Sequence, residues 1–212
     1  MSQPTSQPTL AILGGGGFAR EVAEIAQSRG YRIAACYALD PGSFAPVHRG
    51  YLDELAVQAA EFDGVILGIG ATDRRSLKRR MDLVTWLQAR NIACPPMISR
   101  HAVVADGVTI GDGSFVAHGV ILSVGATLAP FSAVNSGAII GHDARVGSNA
   151  IIAPGAFLGG ASTIGESTLI GPLTKVLQGI TIGRDVILGV GCTALRSLAD
   201  GSTVWPRPDR AT

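Results

Sequence analysis

The sequence predicts a small parallel α/β domain, a half-Rossmann arrangement, followed by an all-β parallel β-helix built from six-residue repeats. Three observations carry this. From Val104 to Leu188 every sixth residue is Val, Ile or Leu: Val104, Ile110, Val116, Leu122, Leu128, Val134, Ile140, Val146, Ile152, Leu158, Ile164, Ile170, Val176, Ile182 and Leu188. Four places after the aliphatic stands a mostly small residue, as at Ser114, Ala126, Ser132, Ala138, Ala144, Ala150, Ala156, Ser162 and Thr168. Ahead of the repeat, short apolar runs alternate with stretches of helical spacing, and four glycines follow the first run. A period of six marks a triangular coil in which each six residues form one flat side. The aliphatic fills the interior and the small residue leaves room near the corner. The fifteen sixes make five coils of eighteen residues. At about 4.8 Å per stacked strand, that prism is about 24 Å long.

The elements before the repeat follow in order. Leu10 to Leu13 reads as a buried strand. Gly14 to Gly17 come next, then a helix from Phe18 to Ser28 with Phe18, Val22, Ile25 and Ala26 at helical spacing, ended by Gly30. Arg32 to Tyr37 reads as a second strand, Leu39-Asp40-Pro41-Gly42 as a turn and Leu52 to Ala60 as a short helix. Gly64 to Ile69 reads as a third strand with Gly70-Ala71-Thr72 as its exit loop. Thr72 or Asp73 caps a helix running through Ala89. Asn91 to Ala93 adds a last strand before Pro95-Pro96. Alternating β and α implies a parallel sheet. The expected divisions are residues 1–97, 98–200 and a tail over 201–212.

Composition agrees. Among 212 residues only 5% are aromatic and 28 are glycine. A narrow triangular core has no room for rings, and its corners need glycine. A net charge of +1 gives no general attraction to nucleic acid. Cys36, Cys94 and Cys192 lack metal-site spacing, and Cys192 falls on the small-residue register, which predicts a buried thiol. The polar start MSQPTSQPT has no apolar signal core, and no run of about 18 apolar residues occurs. The expectation is a soluble, cytoplasmic protein without a membrane span.

Strand, glycine loop and helix together form a phosphate-binding arrangement, because glycines admit the phosphate to free N–H groups at the helix start. Gly14-x-Gly16-x-x-Ala19 meets the relaxed dinucleotide fingerprint, although a tight strand-to-helix turn needs the same residues. Asp40, after the second strand, either holds ribose hydroxyls or shapes the turn before Pro41. A full dinucleotide fold needs two mononucleotide halves. One half is complete here, which favours a single nucleotide, such as a nucleotide-linked sugar, over the two nucleotides of a dehydrogenase cofactor. Arg74, Arg75, Lys78, Arg79 and Arg80 read as a solvated helix face, with Arg75 the candidate to face a diphosphate.

There are four histidines, His48, His101, His118 and His142. His118 and His142 are one coil plus one side apart, so they do not share a zinc ion within one chain. His142 precedes Asp143, a carboxylate placed to hold the imidazole in one tautomer. Eighteen residues on, Gly160 stacks beside it on the next coil. Gly159-Gly160 is expected to leave a gap with exposed N–H groups that accept a developing oxyanion. A base, an oxyanion donor and an open slot are what acyl transfer requires. Asn135 is expected to stack at a turn; Lys175 and Arg184 read as surface charges, and Trp205 as a tail anchor or a contact between subunits.

Three stretches carry a resemblance: Leu13-Gly14-Gly15-Gly16-Gly17-Phe18-Ala19-Arg20-Glu21-Val22, then Leu67-Gly68-Ile69-Gly70 with Arg75, then Val134-Asn135-Ser136-Gly137-Ala138-Ile139-Ile140-Gly141-His142-Asp143. The chain resembles the hexapeptide-repeat sugar acetyltransferases of the sialic-acid O-acetyltransferase type over roughly residues 9–200. These include N-acetyltransferases of UDP- or GDP-linked 4-amino-6-deoxy sugars from the bacillosamine and perosamine pathways. The resemblance implies a left-handed β-helix, a homotrimer and acetyl-CoA in the groove between neighbouring prisms, with no metal. It implies His142 as general base, Asp143 as its orienting partner and Gly160 as oxyanion donor. Gly14, Gly16, Gly17, Arg20, Asp40 and Arg75 become the nucleotide-sugar contacts. The activity implied is acetyl transfer to the sugar's 4-amino group; O-acetylation of a sugar such as sialic acid is the alternative, and an inactive scaffold a third. Three positions depart from the pattern. Phe18 and Ile151 stand where many relatives carry histidine, and Val204-Trp205-Pro206-Arg207-Pro208 replaces a Gly-Asn-Pro near the C-terminus.

Overall fold

The computed structural model describes residues 7–206. The N-terminal domain is built from β1 (Thr9–Leu13), α1 (Gly17–Ser28), β2 (Arg32–Tyr37), β3 (His48–Gly50), α2 (Leu52–Gln58), β4 (Gly64–Leu67) and α3 (Arg74–Gln88). Its sheet is wholly parallel, in the order β3-β2-β1-β4. Leu10, Ala11, Ile12 and Leu13 are buried, as both faces of a covered parallel strand must be. The Asp73 side chain accepts the Ser76 N–H at 2.7 Å and caps α3. Three details differ from the sequence reading. The third expected strand stops at Leu67, because Gly68 packs against Ala19 of α1 too closely for any side chain. Asn91 to Ala93 forms no strand: Asn91 has φ 51°, and the prolines at 95 and 96 have no N–H to continue a ladder. The exposed edge strand β3 was not foreseen, since its three residues carry no apolar pattern.

From Met97 the chain winds into a prism of eighteen two-residue strands, in sheets of seven, six and five. The first face starts with Met97–Ile98, the second with Val103–Val104 and the third with Thr109–Ile110. Three strands per coil give six coils rather than five. The additions are Met97–Ile98 before the repeat and Thr193–Ala194 and Thr203–Val204 after it; Leu188 pairs with Val204, so this part of the expected tail belongs to the prism. Arg207 and Pro208 lie outside the described residues. Every repeat aliphatic from Val116 to Leu188 is at most 2% exposed. Each such burial contributes about 1.5–3 kcal/mol. Val104 and Ile110 remain partly open because they belong to the first coil, which has none beneath it.

Helix α3 lies along the corner between the third and first faces. Phe131, Asn149, Ser167 and Asp185 occupy that corner on four successive coils, each with φ between 52° and 59°. Arg80 reaches the Phe131 carbonyl and the Asn149 side chain, and Arg74 reaches the carbonyls of Asp185 and Gly201. Arg74 and Arg80 are about 9 Å apart along the helix, and two coils span about 9.6 Å, so helix rise and coil spacing match. This corrects the reading of the basic cluster as a solvated face: Arg80 is only 1% exposed, and burial pulls its guanidinium down to about 10. Arg75, Lys78 and Arg79 are exposed, as expected.

All three cysteines are buried and unpaired. Burial pushes the Cys94 thiol up to about 12 and raises Cys36 and Cys192 as well. Since the thiolate is the reactive form, a thiol reagent at neutral pH is expected to label the native protein only negligibly, and all three cysteines after denaturation. Rapid labelling of the native protein would contradict this packing.

Candidate active site

His142 sits where the chain turns from the second face to the third. Its backbone is fixed by the coil ladder: the Asp143 N–H donates to the Val124 carbonyl at 3.0 Å, and the Ala161 N–H donates to the His142 carbonyl at 2.7 Å. The imidazole Nδ1 and Asp143 Oδ2 are 2.9 Å apart. A carboxylate only accepts, so Nδ1 carries a hydrogen, and in the neutral ring the lone pair is on Nε2. Nε2 lies over Gly160, where a methyl group would overlap Nε2, Cδ2 and Cε1 of the ring. The eighteen-residue spacing therefore does stack these two residues. Both side chains of the His142–Asp143 pair are more than half exposed.

One expectation needs correction. Gly159 and Gly160 do not offer a pair of exposed N–H groups. The Gly159 N–H donates to the Val176 carbonyl at 2.9 Å, and Gly160 is buried beneath the imidazole. The Gly160 N–H donates to no acceptor among the described residues. The expected pair is thus reduced to the Gly160 N–H beside the His142 imidazole.

The glycine loop separates into two parts. Gly14, at φ 120°, and Gly15 are required by packing: a methyl at Gly14 would strike Gly68, and one at Gly15 would strike Asp40 and Pro41. Gly16 has open space around its α-carbon, and Gly17 has only the Arg20 guanidinium, 3.9 Å from where its methyl would stand. Nothing inside the chain demands glycine at these two exposed positions, which form the start of α1. The Asp40 carboxylate accepts the Gly42 N–H at 3.0 Å, so it shapes the turn as its alternative reading required. Arg75 is exposed on the first turn of α3.

Two clefts separate the N-terminal domain from the first face. One, about 380 Å³, is lined by Gly17, Arg20, Glu24, Phe115, His118 and Ser136. The other, about 350 Å³, lies among Phe18, Ala71, Thr72, Asn135, Ile151 and Leu169 and is largely apolar. The Phe18 and Phe115 rings meet edge to face, with centroids 5.0 Å apart. Phe18 and Ile151, the two positions at which the resemblance puts histidine in many relatives, wall the same cleft. Asn135 stacks as expected, its Nδ2 donating to the Ile152 carbonyl at 2.9 Å.

Sequence reasoning missed two clusters. His118 contacts Ser99 Oγ at 2.6 Å and Glu24 Oε2 at 2.8 Å, joining α1 to the prism. Arg80 and Asn149 form the other. Neither leaves a local sequence signal, because each depends on how the domains dock. The His101 and His118 rings lie 5.5 Å apart, but no three metal-ligating side chains converge among the described residues. Trp205 packs against Gly189, which anchors the end of the prism. No helix among the described residues is long and apolar enough to cross a membrane.

In one chain, His142 and the clefts are not brought together. The clefts lie against the first face, and His142 lies beyond the second. Residues 9–79 match the PglD N-terminal domain family. PerB from Caulobacter crescentus, in complex with CoA and GDP-perosamine, is 29% identical, with 94% of this chain and 95% of that one covered and a TM-score of 0.86. A histidine-to-asparagine variant of perosamine N-acetyltransferase from the same organism, with the same ligands, is 28% identical over 94% of each chain, also at 0.86. The acetyltransferase domain of PglB from Neisseria gonorrhoeae, in complex with acetyl coenzyme A, is 26% identical over 98% of this chain and 100% of that one, at 0.81. No curated protein sequence matches the chain.

The PglD-type domain, the left-handed β-helix and the likeness to CoA-bound structures together define an acetyl-CoA-dependent acetyltransferase. Residues 9–79 carry the PglD-type N-terminal domain, and over nearly its whole length the chain is similar to CoA-bound sugar acetyltransferases.

Proposed function

We propose that the protein transfers the acetyl group of acetyl-CoA to the 4-amino group of a UDP- or GDP-linked 4-amino-6-deoxy sugar in the cytoplasm. The observation that carries this reading is the His142 imidazole, held through Nδ1 by Asp143 and seated with Nε2 over Gly160. The chain's similarity to structures holding CoA with GDP-perosamine supports the substrates. The amine nitrogen attacks the thioester carbonyl directly; the N–C bond forms and the C–S bond breaks. His142 Nε2 takes the proton from the attacking nitrogen and passes it to the departing CoA thiolate. The Gly160 N–H stabilises the oxyanion between these events. No acyl-enzyme and no metal is involved.

Gly16 and Gly17, with no packing reason to be glycine, favour a bound diphosphate at the start of α1, with Arg20 beside it. That supports a nucleotide-linked acceptor over free sialic acid. Gly14, Asp40 and Arg75 remain proposed contacts; in the structure Gly14 and Asp40 also shape the loop. The apolar cleft at Phe18 and Ile151 suits the deoxy carbon of the sugar. Steady-state CoA release with a panel of UDP- and GDP-linked 4-amino-6-deoxy sugars, sialic acid and a no-acceptor control tests the reading. Release is expected with one of the amino sugars; release with sialic acid alone would replace it with O-acetylation.

The second face carries Val103, Ile121, Ile139 and Phe157 in direct register, all outward and exposed. The corresponding positions of the third face are Thr109, Thr127, Arg145, Thr163 and Thr181. Such an apolar stripe beside His142 supports a homotrimer in which this face packs on a neighbour and His142 meets the neighbour's acceptor site. An Ile139→Glu/Phe157→Glu variant is expected to elute as a folded monomer with acetyl transfer lost. A wild-type chain that is monomeric and fully active would contradict the shared site.

A further inference from the structure

The second cleft has two walls that no strand pairing joins. One is the loop Gly70-Ala71-Thr72 with Phe18; the other is the first face of the prism at Ala133, Ile151 and Leu169. Between Leu67 and Asp73 the chain has no regular structure. Gly68 still bonds to Leu13, and Thr72 to the Ser76 hydroxyl, at 2.9 and 3.0 Å. The polar tie between them is made by Arg80, whose Nε donates to the Ile69 carbonyl at 2.8 Å. The same guanidinium donates through Nη1 to the Phe131 carbonyl at 2.8 Å and to Asn149 Oδ1 at 2.6 Å. Ile69 immediately precedes the loop wall. Phe131 and Asn149 stand two residues before Ala133 and Ile151, which belong to the opposite wall on successive coils.

The prism side of this tie is itself rigid. Asn149 is fully buried and holds its left-handed conformation, with Nδ2 donating back to the Leu77 carbonyl at 3.1 Å and to Ser167 Oγ at 2.9 Å. Helix α3 and the prism corner therefore grip each other from both directions. All three acceptors of Arg80 are neutral. A buried cation without a carboxylate is a poor device for stability alone, because an apolar side chain of similar volume avoids its desolvation. A planar fork does what an apolar residue does not: it fixes three acceptors in one geometry.

We propose that Arg80 is a positioning residue that sets the width of the acceptor cleft by holding the Ile69–Thr72 loop at a fixed distance from the Phe131 and Asn149 corners. It touches no substrate; it acts through Gly70, Ala71 and Thr72. This rests on the acetyl-transfer reading above, with the sugar end of the acceptor seated in that cleft.

Arg80→Met removes all three bonds and keeps a long side chain. Asn149→Gly removes one leg and suits the left-handed backbone, so it preserves folding if Arg80→Met does not. For Arg80→Met, KM for the acceptor is expected to rise about tenfold, with KM for acetyl-CoA and kcat within about twofold. Asn149→Gly is expected to shift the same parameter by about threefold. Hydrogen exchange at residues 69–72 is expected to accelerate in both. An unchanged acceptor KM in either folded variant, or parallel losses in kcat and both KM values, would overturn the proposal. If the wild-type chain transfers no acetyl group, the acetyl-transfer reading fails, and exchange alone decides the clamp: faster exchange at 69–72 upholds it and unchanged exchange overturns it.

Discussion

His142→Ala is expected to lower kcat for acetyl transfer by about 10²–10⁴-fold, the usual contribution of a positioned general base. The fold should be untouched. His142 is an exposed corner residue whose side-chain partner is Asp143, itself exposed, so the unfolding free energy should change by no more than about 0.5 kcal/mol. His142→Asn keeps a polar side chain of similar reach without a basic nitrogen and should lose as much. Binding of either substrate, followed by calorimetry, should persist in both variants. A folded His142→Ala protein with wild-type turnover would remove His142 from the chemistry and revive the scaffold reading.

The second large effect is expected at Gly160. Its backbone does not occupy the left-handed region, so alanine is conformationally acceptable there. The added methyl instead takes the space of the His142 ring, which must swing away from the slot and from the Gly160 N–H. A displacement of about 1 Å at a reacting group costs about 10²-fold in rate, and Gly160→Ala is expected to lose at least that in kcat. Gly137 provides the control. It has φ 69° with open space around it, so Gly137→Ala should cost about 1–2 kcal/mol of stability while leaving turnover unchanged. Thermal unfolding beside kcat separates the two outcomes. Full activity in Gly160→Ala with the His142 ring undisturbed in a crystal structure would contradict the proposed slot.

The juxtaposition of His142 and Gly160 was legible in the sequence because a solenoid turns a separation of eighteen residues into direct contact. The same regularity made the interior positions from Val116 to Leu188 readable one by one. It failed at the first coil, where Val104 and Ile110 have no coil beneath them, and it undercounted the coils: Ala194 is not a large aliphatic, Val204 falls off the six-residue register, and Ile98, which is on it, was not counted. In the N-terminal domain, α1 and β2 could be read from apolar spacing, whereas β3 could not, because His48, Arg49 and Gly50 form a polar edge. Arg80 was misread because its neighbours in sequence are charged and exposed, and only docking of α3 on the prism corner buries it. The apolar character of the cleft was hidden for the same reason: Phe18 and Ile151 are distant in sequence and line one cleft only across the domain boundary.

The central claim is acetyl transfer to a sugar-borne nitrogen. The most direct measurement is the identification of the product formed from acetyl-CoA and UDP- or GDP-linked 4-amino-6-deoxy sugars, by mass spectrometry before and after mild alkali. One acetyl increment that survives alkali, as an amide does, is the result expected. An increment removed by alkali would place the acetyl group on oxygen, and no acceptor-dependent product across the panel would contradict the account of the acceptor altogether.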